Sequence, residues 1–157
     1  MLRPRACWVF AMVSEEQSQG YAGDLSAAEA WAQLSREPAA QLVDVRTTAE
    51  WSFVGVPDLS SIGRRVHCLE WQGYPSMAAN PDFVAQARAA LGDKKDTPVL
   101  FLCRSGARSR AAAMAMTGAG YTRSFNIAGG FEGDLDEQRH RGGRNGWKAA
   151  GLPWKQT

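Results

Sequence analysis

The stretch that most limits how this chain can fold is residues 98–118, PVLFLCRSGARSRAAAMAMTG. Pro98 to Leu102 is an unbroken apolar run of strand length, which suits a strand buried on both faces. Ala107 to Thr117 follows as an alanine-rich helix, ended near Gly118 or Gly120. Only Cys103 to Gly106 separate the two. A strand that passes so directly into a helix commits the chain to a layered α/β arrangement.

The rest of the chain repeats that alternation. Ser26 followed by Glu29 is a capping box, predicting a helix over Ala27–Leu34. Gln41–Val45 reads as a short buried strand, Thr47–Phe53 as a short helix capped by Thr47 or Thr48, and Val66–Leu69 as another strand. Asn80-Pro81 reads as a helix start, with the helix running to Leu91 and stopped by Gly92. Ser124–Ile127 is the last strand expected, before Gly129-Gly130. Strands alternating with helices predict the α/β class, a mainly parallel central sheet with helices on its faces.

At 157 residues the chain holds one domain with one substantial core. Residues 1–20 read as a flexible extension ahead of a domain over 21–157. The apolar run Ala6–Val13 is too short for a membrane span, and no small-residue cleavage site follows it. A formal net charge of +2 predicts neither nucleic-acid nor membrane partners. Cys7, Cys68 and Cys103 match neither a disulfide framework nor a zinc pattern, and His67 and His140 do not complete one. No metal and no cofactor is expected, and a reducing, cytoplasmic compartment is the simplest setting. Cys7 and Cys68 read as buried small residues, and His67 as a structural residue.

Cys103 differs from the other two cysteines because it ends the strongest strand just before a helix. Ligands in parallel sheets sit at such strand ends, where backbone N–H groups converge and the helix N-terminus adds positive potential. Gly106 permits a backbone conformation that a side chain resists. Arg104, Arg108 and Arg110 place three cations within seven residues. Together these features stabilise an anion on the cysteine sulfur and make Cys103 the candidate nucleophile.

The run Cys103 to Ser109, CRSGARS, resembles the active loop of rhodanese-like sulfurtransferases, and the resemblance extends from about Leu25 to Pro153. Asp44-Val45-Arg46 with Glu50 is similar to the family's early D-x-R…E signature, Asn126 to Gly130 to its N-x-x-G-G, and Trp147 with Gly151-Leu152-Pro153 to its closing W…G-x-P. The resemblance implies a compact rhodanese-like domain over 21–157. Sulfur would pass from a small anionic donor such as thiosulfate to a cyanide or thiol acceptor through a persulfide on Cys103. It assigns Arg104, Ser105, Gly106, Ala107, Arg108 and Ser109 to substrate binding, and Asp44 and Arg46 to support of the loop or to a structural ion pair. A persulfide carrier with a protein acceptor and little turnover is the alternative.

A cysteine-dependent phosphatase or arsenate reductase is the weaker rival. Such enzymes place five residues between nucleophile and arginine, whereas Arg104 to Ala107 leaves four, a cradle better matched to one sulfur atom. The chain departs from many relatives in having Gly55-Val56-Pro57 where they carry a histidine. It also departs in the sixteen residues, 131–146, between Gly130 and Trp147. That charged segment is expected to be a solvated loop or a lid near the active edge. Trp51, Trp71 and Tyr74 are candidates for an apolar wall beside the cysteine, or for core packing.

Overall fold

The computed structural model describes residues 20–156. The expected extension over 1–20, apart from Gly20, lies outside the described residues, as does Cys7. In chain order the elements are β1 (Gly23–Leu25), α1 (Ala27–Arg36), β2 (Gln41–Asp44), α2 (Thr48–Phe53), β3 (Val56–Pro57), a 3-10 turn (Ser60–Ile62), β4 (Val66–Cys68), β5 (Gln72–Gly73), β6 (Ala78–Ala79), α3 (Phe83–Leu91), β7 (Val99–Leu102), α4 (Ala107–Gly118), β8 (Ser124–Ile127) and β9 (Trp154–Lys155). Among the described residues no helix is long and apolar enough to cross a membrane.

Five strands form one parallel sheet in the order β1-β8-β7-β2-β4. The apolar run of β7 lies in its centre because every one of its residues is buried. Alternate side chains serve opposite faces. Val43, Val99 and Phe101 pack with Phe83 and Ala87 of α3 and Ala112, Ala113 and Met116 of α4. Leu42, Leu100, Leu102 and Ile127 pack with Ala27, Ala30 and Leu34 of α1, and with Phe131 and Trp147. The expected α/β sheet with helices on both faces is therefore present.

Local signals place most boundaries. The Ser26–Glu29 capping box starts α1, and a second one, Thr47 with Glu50, starts α2. The start expected for α3 at Asn80-Pro81 is corrected to Phe83, with Asp82 at the cap position and no side-chain cap bond. Asn80 is used otherwise: its side chain accepts from Asp82 N and donates to Glu70 O, tying the helix entry to the preceding loop. Cys68 is also corrected. It is exposed, since it ends β4 at the edge of the sheet. His67 fits its structural reading, with Nε2 2.9 Å from Gln41 Oε1 on the neighbouring strand.

Two small antiparallel pairs, β3 with β9 and β5 with β6, complete the fold. Val56-Pro57 is thereby spent on pairing with Trp154-Lys155. The motif around Trp147 closes the opposite core face: its ring is fully buried and its Nε1 donates to Pro153 O at 2.7 Å.

Candidate active site

Cys103 stands where β7 gives way to α4, and it is almost wholly enclosed, at 1% exposure. The backbone turns there through Gly106, whose φ of 124° lies in the region that favours glycine. That turn aims the Gly106 N–H at Cys103 Sγ, 3.1 Å away, while Ser109 Oγ from the first turn of α4 stands 3.2 Å from the same sulfur. A backbone donor, a hydroxyl and the positive end of a twelve-residue helix thus meet at one sulfur atom.

The carbonyl side of the loop is held from behind. Phe131 N donates to Cys103 O at 2.8 Å, and Glu132 N and Gly133 N donate to Arg104 O at 3.0 and 3.1 Å. Gly130 makes that approach feasible: a Cβ there would collide with the Cys103 carbonyl and the Arg104 backbone. Segment 131–146, expected to be a solvated loop or a lid, is structural at its root, where its backbone holds the cysteine loop. Its middle is exposed, and Arg141 and Arg144 bond within the segment, to Gly133 O and Leu135 O.

Asp44 and Arg46 form a fully buried ion pair, with Arg46 Nη2 2.7 Å from Asp44 Oδ2 and also 2.7 Å from Gly55 O. The guanidinium lies 4.2 Å from the centre of the Phe131 ring. The pair therefore reaches the cysteine loop through Phe131, the residue that bonds Cys103 O.

The three arginines have different surroundings. Arg108 forms a bidentate pair with Glu50 of α2, at 2.8 and 3.0 Å. Burial raises the Glu50 carboxyl, but Arg108, with help from Thr47, outweighs it and holds it down to about 2. The same pairing raises Arg108 above its ordinary value. Arg110 leans over the Tyr21 ring, 5.7 Å from its centre. Arg104 is exposed at the mouth of the loop. Ser105 is half-buried and Ala107 exposed, leaving Cys103, Gly106 and Ser109 as the members of the expected set in contact around the sulfur.

Beside the loop lies an open recess of about 490 Å³, a size suited to a small organic molecule. Phe53 and Tyr74, 81% and 67% exposed, and Met77 form its apolar side. Arg104, Arg108 and Glu50 form another wall, and Glu132 and Arg141 bring the 131–146 segment to its rim. Of the three aromatics expected beside the cysteine, Tyr74 is in this recess. Trp71 packs edge-on against Phe83 in the core, with ring centres 5.1 Å apart, and the Trp51 indole nitrogen is buried. A larger hollow of about 620 Å³, around Arg64, Arg65 and Lys155, shares no residue with the cysteine loop.

Although Cys68 is exposed as a residue, partial desolvation of its sulfur, then the nearby Asp44 carboxylate, raise the thiol above its ordinary value, so near neutral pH it is a poor nucleophile. Among the described residues no group of three or more His, Cys, Asp or Glu side chains is placed to hold a metal ion. Sequence reasoning gave no role to Asn126, Asp24 or the recess residues Phe53 and Met77. For Glu50 a signal was available: it is the third helical residue of a capping box, so its carboxylate is fixed at the start of α2.

A family model for the STR4 middle domain matches residues 22–157. The chain is 51% identical to Rv0390 from M. tuberculosis, whose crystal structure superposes with a TM-score of 0.80 over 87% of this chain and 99% of that one. It is 37% identical to an uncharacterized Rickettsia conorii protein, over 84% of this chain and 96% of that protein. It is 30% identical to the chloroplastic protein THYLAKOID RHODANESE-LIKE of Oryza sativa subsp. indica, over 93% of this chain and 28% of that longer protein.

Proposed function

The chain belongs to the rhodanese-like family, within the sulfurtransferase superfamily, and from that premise we propose that it transfers sulfane sulfur through a persulfide on Cys103. The observation that carries this reading is the sulfur's surroundings: Gly106 N–H and Ser109 Oγ at 3.1 and 3.2 Å, at the head of α4. Both suit a sulfur that carries charge, and neither requires a metal or an organic cofactor.

In the first half-reaction the Cys103 thiolate attacks the outer sulfur of thiosulfate. The donor's S–S bond breaks, sulfite leaves with the bonding electron pair, and the outer sulfur stays on Cys103 as an anionic persulfide. In the second, cyanide or a thiolate attacks that outer sulfur and releases Cys103 as thiolate. Arg104 supplies the accessible cation for an oxyanion donor, since guanidinium pairs well with such oxygens. Arg108 keeps its partner Glu50 and shapes the recess. The same reading extends to a reducing, cytoplasmic setting, supported by three cysteines that match no disulfide framework.

The test is mass spectrometry of the protein after thiosulfate treatment, followed by turnover with cyanide. One added sulfur atom on Cys103, absent from Cys103→Ser, is the expected result. Thiosulfate–cyanide turnover in Cys103→Ser would overturn the assignment. An adduct without turnover would make the chain a persulfide carrier.

A further inference from the structure

Ser109 has one hydroxyl proton and three acceptors within reach: Cys103 Sγ at 3.2 Å, Gly106 O at 3.3 Å and Asn126 Oδ1 at 2.6 Å. The shortest of these is to Asn126, which is nearly buried on β8. The orientation of that amide is set from its other end. Asn126 Nδ2 donates to Asp24 Oδ1 at 3.0 Å, and a carboxylate only accepts, so the amide oxygen must face Ser109. Asp24 is brought there by strand register, since β1 pairs with β8 with Asp24 opposite Asn126. Tyr21 fixes the carboxylate further, its hydroxyl donating to Oδ1 at 2.9 Å. Burial, then the Asp24 hydrogen bond, raises Tyr21 above its ordinary 10, so it remains a donor.

We propose that Asn126, oriented by Asp24, is a positioning residue that competes with the Cys103 sulfur for the single proton of Ser109. The proposal rests on Cys103 being the nucleophile. When Cys103 is a thiol, Ser109 donates to Asn126 and turns a lone pair to the sulfur, where the S–H donates. When Cys103 is a thiolate, the Ser109 proton swings to Sγ and leaves Asn126. When Cys103 carries a persulfide, the charge lies on the outer sulfur, Sγ is uncharged, and the proton returns to Asn126. The network therefore assists the charge in leaving Sγ as the sulfur is loaded.

Other charged groups surround the site: Arg104 and Arg108 on its own loop and helix, Glu50 of α2 on Arg108, the Asp44–Arg46 pair at the end of β2, Arg110 over Tyr21, and Asp24 itself. A change at Asp24 can thus act through its charge or through the orientation of Asn126, and a double-mutant cycle separates the two. The measurement is the rate of Cys103 alkylation by iodoacetamide against pH, followed on the Cys103 peptide by mass spectrometry. Ser109→Ala is expected to move the midpoint of that curve up by about one pH unit, the effect of losing a hydrogen bond to a charged group. Ser109→Thr, which keeps the hydroxyl, restores the parental midpoint. Asp24→Ala removes the acceptor that orients Asn126, so its amide can turn its nitrogen to Ser109, which releases the hydroxyl to the sulfur and moves the midpoint down. In the Ser109→Ala background, Asp24→Ala moves nothing. An equal downward shift in both backgrounds would mean that only charge was felt, and no shift in either would mean that Asn126 does not compete; each result overturns the proposal. Alkylation reads the ionisation of the thiol alone, so this outcome is independent of the sulfur-adduct test, whose failure would instead remove the sulfurtransferase reading.

Discussion

Arg104 and Arg108 stand four residues apart, yet their environments assign them different work. Arg104 is exposed at the mouth of the cysteine loop, and Arg108 is half-buried and clamped to Glu50. Arg104→Ala is therefore expected to raise the Michaelis constant for thiosulfate several-fold, and added salt to do the same in the parent protein. Steady-state kinetics at two ionic strengths checks this; an insensitive constant would exclude electrostatic donor binding. Arg108→Ala should instead appear as lost stability, because it strands the Glu50 carboxylate. Glu50 also sets an acid limit. Its carboxyl sits at about 2 in the fold against an ordinary 4.5. The stability from this pair is therefore fully present above about pH 4.5 and is lost as the pH falls toward 2. Denaturant titrations of the parent and Glu50→Gln should differ at neutral pH and converge across that window. Both arginines and the cysteine stand out from the loop's sequence alone. The division of labour between the arginines does not, because Glu50 lies on another element 58 residues away in the chain.

At the scale of elements, the cysteine loop is held by the segment that follows β8. The Gly130 turn brings three N–H groups to the Cys103 and Arg104 carbonyls, in space that a side chain would fill. Gly130→Ala is expected to cost about 1–3 kcal/mol from overpacking, and more because its φ is positive, with loss of sulfur transfer in parallel. Denaturant unfolding and the adduct assay measure the two effects. Replacing only the exposed part, Asp134 to Arg144, by a short glycine-containing turn should leave persulfide formation nearly intact and alter transfer to bulky thiols, since Arg141 at the recess rim is removed. Single-turnover kinetics separates the two half-reactions. The helices and long strands were readable because capping boxes and apolar runs are local signals. The pairings of β1, β3, β5, β6 and β9 were not, because two or three residues carry too little pattern and depend on a distant partner strand.

For the whole molecule, the core depends on closing two sheet faces, and Trp147 closes one of them from near the end of the chain. Trp147→Ala should cost about 3–5 kcal/mol, a large share of a typical domain's stability, and a thermal or denaturant transition would report it. By itself the sequence determined the α/β class, the central strand β7, the helix that follows it, and Cys103 between them, since periodicity, capping and the strand-to-helix turn act over a few residues. Only the tertiary structure decided that Glu50 takes Arg108, that Phe131 supports the cysteine from behind, and that Asp24 across a strand pair orients Asn126 toward Ser109. Those contacts depend on sheet order and register, which arise when distant segments bury their apolar faces together.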